Sequence, residues 1–488
     1  MVNPAKQNAD NLQADIVVIG GGGAGLTAAV VAAKRGAKVI LLEKRRKLGG
    51  TSAMAQGLFG AESIAQKRLK IDAQRDELFR MAMKFARWSI NPRIVRAFID
   101  KSGDTIRWLE EKGLTFDVQP YYPNQAPMTW HRIKEKGAGA KLIELLAKES
   151  KELGVRWLCE TAAKELITNE AGNVVGVLAT RKGEKISITA SSAIIATGGY
   201  GGNKRLLRKY CPYYHENIDL IGIPNTGDGL LMALKVGAAT EGLGIIQAEA
   251  AFHVSGGPRE LMACSMEPDA IWVNRRGERY MDESVTTHFD VFESAQAVIR
   301  QPDSISYTIL DERMIQRVIE SGPNKVYGPE SWGPGVPQPD LPKALQLGVE
   351  RGGVKISSSW DGIAVWMGAS PAILKATLDE YNSFCDNGYD AVFAKERRYL
   401  MALRTPPYYA LKCHPVFIGT IGGIKINHHM EVLDHGDNPI PGLYAVGVDA
   451  GGWEPDTYNA ALSGSTFGFA INSGRIAGEN AAKFVLRK

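Results

Sequence analysis

The stretch Asp15–Ser52, DIVVIGGGGAGLTAAVVAAKRGAKVILLEKRRKLGGTS, constrains this chain most tightly. Asp15–Ile19 is a short apolar run suited to a buried parallel strand, and Gly20-x-Gly22-x-x-Gly25 follows at once. A small-residue helix is expected from Ala24 to Arg35, broken by Gly36. A second apolar strand, Lys38–Leu42, ends in Glu43, 18 positions past Gly25. This order of strand, glycine turn, helix, strand and acid is what a dinucleotide site requires. Gly20 permits the tight turn, Gly22 lets the backbone approach a pyrophosphate, and Gly25 lets helix and strand pack closely. The helix N-terminus offers N–H donors and the positive end of its dipole to phosphate. Glu43 is placed to accept hydrogen bonds from ribose hydroxyls.

A second glycine loop soon follows, Gly49-Gly50-Thr51-Ser52, and then Ala55-Gln56-Gly57. It suits a cofactor that runs on past its pyrophosphate in an extended form, as FAD does; on this local pattern NAD stays open. The basic run Lys44-Arg45-Arg46-Lys47 is either a solvated loop or help for the cofactor phosphates.

A length of 488 residues calls for two domains or one large domain with an insertion. The net charge of +5 is small and the basic residues are scattered, so no nucleic-acid footprint emerges. The five cysteines include no CxxC or CxxCH pattern, which argues against a cluster or haem site and for a reduced compartment. His428-His429 is the one adjacent histidine pair and falls in a polar, turn-like stretch, so no metal is expected. The first residues lack an apolar leader core, and no apolar run reaches a spanning length. A soluble cytoplasmic enzyme is expected, without membrane or nucleic-acid partners.

Residues 1–14 read as a polar arm. Asn91-Pro92 starts a helix, with Asn as N-cap and Pro first inside it; Ile106, Trp108 and Leu109 are assigned to a separate helix closed by Gly113. An aromatic loop with Tyr121, Tyr122, Trp130 and His131 comes next, then a helix over about Gly139–Leu153. Between Val155 and Ala190 the period changes to two, which predicts an antiparallel meander. The last long helix begins near Ser463-Gly464-Ser465.

Several ordered segments carry a resemblance. VVIGGGGAGLTAA, LLEKRRKLGGTS, IIATGGYGGN, NTGDGLLMALKVGA, VNRRGERYMDE, GTIGGIKIN, PIPGLYAVGVDAGG and SGRIAGENAA resemble the FAD-dependent family of fumarate reductases and succinate dehydrogenase flavoproteins. That family also includes urocanate reductase and 3-ketosteroid dehydrogenases. The resemblance implies an α/β architecture: a Rossmann-like FAD-binding domain (15–245 and 421–488) with an inserted α+β capping domain (246–420). It implies hydride exchange between flavin N5 and a carbon of an activated C=C bond, with proton exchange at the neighbouring carbon. Cofactor contacts are implied at Gly20, Gly22, Gly25, Glu43, Lys44, Gly50, Thr51, Ser52, Gly57, Ala163, Thr197, Gly198 and Asp228. The turn Ser463–Ser465 is implied to aim its helix at the flavin. The loop GGTSAMAQGLFG has no histidine, so the FAD is expected to be non-covalent.

The same resemblance implies that Arg279, in NRRGERYMDE, is the proton donor. A guanidinium is normally locked in its charged form; without a relay Arg279 only polarises the substrate. The family's substrate-binding histidines are replaced: Glu249 stands in Gln247-Ala248-Glu249, and Ile418-Gly419-Thr420 holds no histidine. Ala461 takes the place of the carboxylate-clamping arginine. Carboxylates bind best to bidentate arginine, so fumarate is disfavoured. Thr457-Tyr458 resembles the ketosteroid dehydrogenase segment in which a tyrosine binds the substrate carbonyl. Tyr458 is thus expected at an enone or enoate oxygen, with Tyr122 and His131 as further site candidates on their loop. The leading expectation is an oxidoreductase that reduces or forms a C=C bond next to a carbonyl, with an external electron donor or acceptor. Alternatives are a small unsaturated-acid reductase with another anion site (Arg259, Arg404 or His253) or an electron-transfer flavoprotein subunit.

Overall fold

The computed structural model describes residues 11–120, 126–249, 252–288, 292–324 and 335–487. Its centre is a six-stranded sheet in the order Glu431–Leu433, Pro439–Ala445, Ser192–Ile195, Ile16–Ile19, Val39–Leu42, Arg156–Leu158. All neighbours are parallel except the edge pair Glu431–Leu433 with Pro439–Ala445. Ile16–Ile19 is buried along its whole length. That is why it reads as an unbroken apolar run: both faces of a parallel sheet are covered. It pairs with Val39–Leu42 on one side and Ser192–Ile195 on the other. The crevice beyond its carboxyl end is where open α/β sheets bind ligands.

Helix Gly23–Lys34 leaves that strand through the glycine turn and packs on the last helix, Ser465–Leu486. Small residues set this contact: a Cβ on Gly474 would stand 2.4 Å from the Ala24 carbonyl oxygen, and one on Gly478 2.6 Å from that of Ala28. The last helix is buried around most of its girth, which its mixed Phe, Ile, Ala and Gly composition permits.

The meander forms as expected, with strands Thr161–Thr168, Val174–Arg181 and Glu184–Thr189 paired antiparallel. The end of the N-terminal arm is not a free polar tail: Asn11–Gln13 adds a parallel strand beside Glu184–Thr189. The two helices expected between Asn91 and Gly113 are one helix, Pro92–Glu110. Asn91 caps it as expected, accepting from the N–H groups of Arg93 and Ile94. Gly103 does not break it, because that glycine sits where a Cβ would meet the Ala61 carbonyl oxygen at 2.4 Å.

Two strands carry the chain into and out of the segment 246–420. Thr240–Ala248 leads in and Val416–Ile424 leads back, paired antiparallel with Ile246 opposite Thr420 and Ala248 opposite Phe417. The segment between them builds a sheet of its own. Tyr408–His414 lies at its centre, with Ser306–Asp311 and Ile271–Asn274 to one side. His253–Val254 and Val354–Ser357 share the other edge. A second hydrophobic core, separate from that of the large sheet, draws only on residues between Val254 and Cys413.

Candidate active site

The glycine turn is held by backbone contact. Gly20 has φ +114°, and a Cβ there would lie 2.1 Å from the Ala196 carbonyl oxygen. At Gly25 a Cβ would lie 1.9 Å from the carbonyl oxygen of Gly20, so this glycine closes helix against strand. Gly22 differs: its missing side chain points to space, with the Gly49 carbonyl oxygen at 3.8 Å as the nearest atom. A ligand can therefore come against the backbone there. Ser52 Oγ accepts from the Gly23 N–H (3.1 Å) and so ties the second glycine loop to the helix N-terminus.

Glu43 is buried, and both carboxylate oxygens are committed to the backbone: Oε2 accepts from the Gly21 N–H (2.9 Å) and Oε1 from the Arg45 N–H (2.8 Å). Lys44 Nζ donates to Thr226 Oγ1 (2.8 Å) and Asp228 Oδ2 (2.9 Å). Thr197 Oγ1 donates to Asp449 and accepts from the Gly229 N–H (3.1 Å). The Asp449 carboxylate also accepts from the N–H groups of Gly198 (2.9 Å) and Gly199 (3.0 Å). Asp449 is fully internal and shapes this loop; nothing local in VGVDAGG singles it out.

These residues open on one cavity of about 500 Å³. Gly20, Gly22, Glu43, Lys44, Gly50, Thr51, Ser52, Gly57, Ala163, Thr197, Gly198 and Asp228 all line it, and so does Tyr458. The cavity thus runs from the Glu43 carboxylate to the start of the last helix, which suits an extended dinucleotide. Gly464, with φ +83°, precedes that helix and gives it no side-chain cap. Thr466 lines the cavity, and its hydroxyl is buried with no hydrogen-bond partner among the described residues. An orphaned hydroxyl at an uncapped helix N-terminus fits an electron-rich ligand edge. The residues present therefore fit FAD.

The far end is built by the two crossing strands and the turn before the last helix. Gln247 and Glu249 both line the cavity, while Ala248 between them is buried away from it. This is strand alternation, and the pairing reaches Glu249, whose N–H donates to the Val416 carbonyl (2.8 Å). Ile418, Gly419 and Thr420 come from the returning strand, and Trp130 and Phe467 complete the wall. The Tyr458 hydroxyl accepts from the Gly464 N–H (3.2 Å). Burial raises the Tyr458 phenol well above its ordinary range, and the neighbouring carboxylates of Glu454 and Glu249 push the same way. Glu454 is buried behind this tyrosine, its Oε1 accepting from the Asn459 N–H (2.6 Å). Burial pushes its carboxyl up to about 8.

Other expected residues lie elsewhere. Arg279 does not line the cavity. Its Nε and Nη2 donate to Glu283 (3.0 and 2.8 Å), Nη2 also reaches Asp390 (2.9 Å), and Lys395 closes the cluster 3.2 Å from Glu283. All four side chains are buried. Burial alone would lower the guanidinium pKa, but Glu283 and Asp390 hold it firmly protonated. The arginine is thus a member of an internal ion-pair cluster, and its Nη1 is buried with no hydrogen-bond partner among the described residues. His131 is fully buried in strand Trp130–Ile133, opposite in sense to Trp130. Its Nδ1 donates to the Thr129 carbonyl (3.0 Å), and Nε2 accepts from Ser63 Oγ (2.6 Å). Burial lowers its pKa to about 4, so it is a neutral structural histidine. Ser463 and Ser465 do not line the cavity; Gly464 and Thr466 between and after them do. Arg259, Arg404 and His253 are absent from the lining, and Arg404 pairs with Asp386 at the surface. Tyr122 lies outside the described residues. Among those described, no group of His, Cys, Asp or Glu could hold a metal ion, and no helix is long and apolar enough to cross a membrane.

A family model described as an FAD binding domain matches residues 15–461. The chain is similar to a vinyl phenol reductase of Lactiplantibacillus plantarum, 32% identical over 458 residues, which are 90% of each chain. It is similar in structure to the open conformation of a flavocytochrome c3 fumarate reductase: TM-score 0.74, 27% identity, covering 97% of this chain and 79% of that one. The 3-ketosteroid Δ1-dehydrogenase from Sterolibacterium denitrificans shares the fold, with a TM-score of 0.77 at 21% identity, over 96% of this chain and 99% of that one.

Proposed function

The chain belongs to the FAD binding domain family, and from that premise we propose that it is an FAD-dependent oxidoreductase acting on the C=C bond of a neutral, aromatic-sized substrate. The bond is conjugated to oxygen, as a carbonyl or a phenol. Bound in the cavity, FAD supplies hydride transfer to or from one carbon of that bond. The chain's own residues hold and orient. Glu43 and the meander residue Ala163 would hold the adenosine half, the helix N-terminus after Gly22 the pyrophosphate, and Thr466 the flavin ring. The lining has no histidine or cysteine among the described residues, in keeping with a non-covalent cofactor. Tyr458 hydrogen-bonds the conjugated oxygen and stabilises charge that develops there. The segment 246–420 serves as the cap over the substrate end, and electrons are exchanged with an external partner. A reducing cytoplasm suits the five free cysteines.

One observation carries the substrate class: among the described lining residues the only cationic side chains are Lys44 and Arg45, both beside Glu43. Among the described residues the Tyr458 end thus offers neither the arginine nor the histidine that a dicarboxylate needs. To test this, the enzyme is reduced anaerobically and mixed with 4-vinylphenol, a cyclic enone, cinnamate, acrylate or fumarate while flavin absorbance is followed. Rapid reoxidation by the neutral aromatic or cyclic alkenes is expected. Rapid reoxidation by fumarate alone would overturn the proposal.

A further inference from the structure

We infer that Gly419 is the specificity-determining residue of this site, and that the face of a substrate ring lies against its backbone. The inference rests on the proposed function and accounts for the size of substrate the site admits. Other glycines that line the cavity have a local reason to be glycine: Gly464 takes φ +83°, and a Cβ on Gly57 would lie 2.6 Å from the His131 carbonyl oxygen. Gly419 has neither reason. It is not among the positive-φ glycines, and a Cβ built there would meet nothing within 4 Å among the described residues. Gly22 is a lining glycine of the same kind, and there the bare backbone faces the room a pyrophosphate needs. By the same reasoning the bare backbone at Gly419 marks a second place where a ligand comes close.

The pairing around Gly419 fixes this wall. Ile246 pairs with Thr420 and Ala248 with Phe417, so Ile418 and Gly419 together stand opposite Gln247. Such a bulge breaks strand alternation, and Ile418, Gly419 and Thr420 all line the cavity. The strand has no room to retreat. A Cβ on Gly222 would lie 1.8 Å from the Ile418 carbonyl oxygen, and one on Gly201 3.2 Å from the Gly419 Cα. The result is a stretch of bare peptide at a fixed depth, against which a flat ring makes dispersion contact across its face. A side chain at 419 would take the place of that ring.

The test compares wild type with Gly419→Ala and Gly419→Leu. Titration calorimetry of the oxidised holoenzyme with 4-ethylphenol reads the ring site, and fluorescence titration of the apoprotein reads FAD affinity. Gly419→Ala should weaken 4-ethylphenol about tenfold, the scale of one methylene in a filled apolar pocket, and Gly419→Leu should weaken it further. FAD affinity should stay within about threefold of wild type in both variants. Variants that hold FAD and bind 4-ethylphenol as wild type does would overturn the inference. So would a parallel loss of FAD, which would put the cofactor rather than the substrate at Gly419, and so would a wild-type protein that does not bind 4-ethylphenol. If the leucine variant does not fold, the alanine variant decides alone. Anaerobic reoxidation adds a second reading: Gly419→Leu should shift the ratio of rates at least about tenfold from 4-vinylphenol towards but-3-en-2-one, and equal slowing of both overturns the inference. If neither alkene reoxidises the reduced wild-type enzyme, the proposed reaction fails, whereas Gly419 stands or falls on the 4-ethylphenol and FAD affinities.

Discussion

Replacing Arg279 by alanine separates an internal ion pair from a catalytic one. Arg279, Lys395, Glu283 and Asp390 form a buried cluster of two cations and two anions. Their formal charges cancel, and removing Arg279 leaves one uncompensated negative charge in a site closed to water. Burial alone would raise the Glu283 carboxyl, but Lys395 and Arg279 together hold it below the ordinary range. Burial would likewise raise Asp390, but the Phe393 N–H and Arg279 hold it low. Breaking one partner out of such a cluster costs about 3–5 kcal/mol, because the other charges stay buried. A carboxyl whose folded pKa is depressed adds stability above its unfolded pKa, and loses it as pH falls through the folded value. The cost of Arg279→Ala should therefore be largest at about pH 7 and shrink towards about pH 4, where protonation relieves the stranded carboxylates. The assay is urea unfolding of the holoenzyme at both pH values, alongside anaerobic flavin reoxidation at a temperature where the variant is folded. The expected result is a large, pH-dependent loss of stability with reoxidation within about threefold of wild type, well short of the loss expected for a general acid. Unchanged stability with reoxidation slowed a hundredfold or more, the scale of a lost proton donor, would refute this placement of Arg279.

Three further outcomes follow from the site. Tyr458→Phe removes the hydroxyl on the substrate side and should slow reoxidation by the alkene about tenfold to a hundredfold, leaving reoxidation by oxygen unchanged in stopped-flow traces. Glu43→Gln keeps one acceptor oxygen but sets an amide against the second of the two N–H groups that Glu43 now holds; FAD affinity in a fluorescence titration of apoprotein should fall about tenfold or more. Glu454 has a carboxyl raised from 4.5 to about 8, so the folded state keeps a proton that the unfolded chain releases, and stability from this group declines as pH rises between those values. Glu454→Gln keeps an acceptor for the Asn459 N–H and should flatten that decline, stabilising the protein more at about pH 8 than at about pH 5 in denaturant titrations.

The cofactor end was legible because its instructions are local. The turn Gly20–Gly25, the acid Glu43 and the loop Gly49–Ser52 are close in sequence, and Gly20 and Gly25 answer backbone contacts that any similar β-α-β unit would make. The substrate end is assembled from Trp130, the strand reaching Glu249, the returning strand at Ile418–Thr420 and the turn Tyr458–Phe467. What decides membership there is parity along a strand, and parity is invisible until the strand itself is known. Trp130 and His131 are adjacent in what reads as an aromatic loop, where only His131 of the two is expected at the site. Once the loop is the strand Trp130–Ile133, one of them must face the cavity and the other the core, and it is the histidine that is buried against Ser63. Gln247, Ala248 and Glu249 obey the same rule. Arg279 lies off the cavity lining for a different reason. A motif gives the residue type at a position but not the charges that fold in from far along the chain, and Asp390, 111 residues on, holds the Arg279 Nη2. Among the described lining residues, the ionisable side chains at the Tyr458 end are that tyrosine and Glu249, and proton chemistry there is expected to draw on groups that reach the cavity.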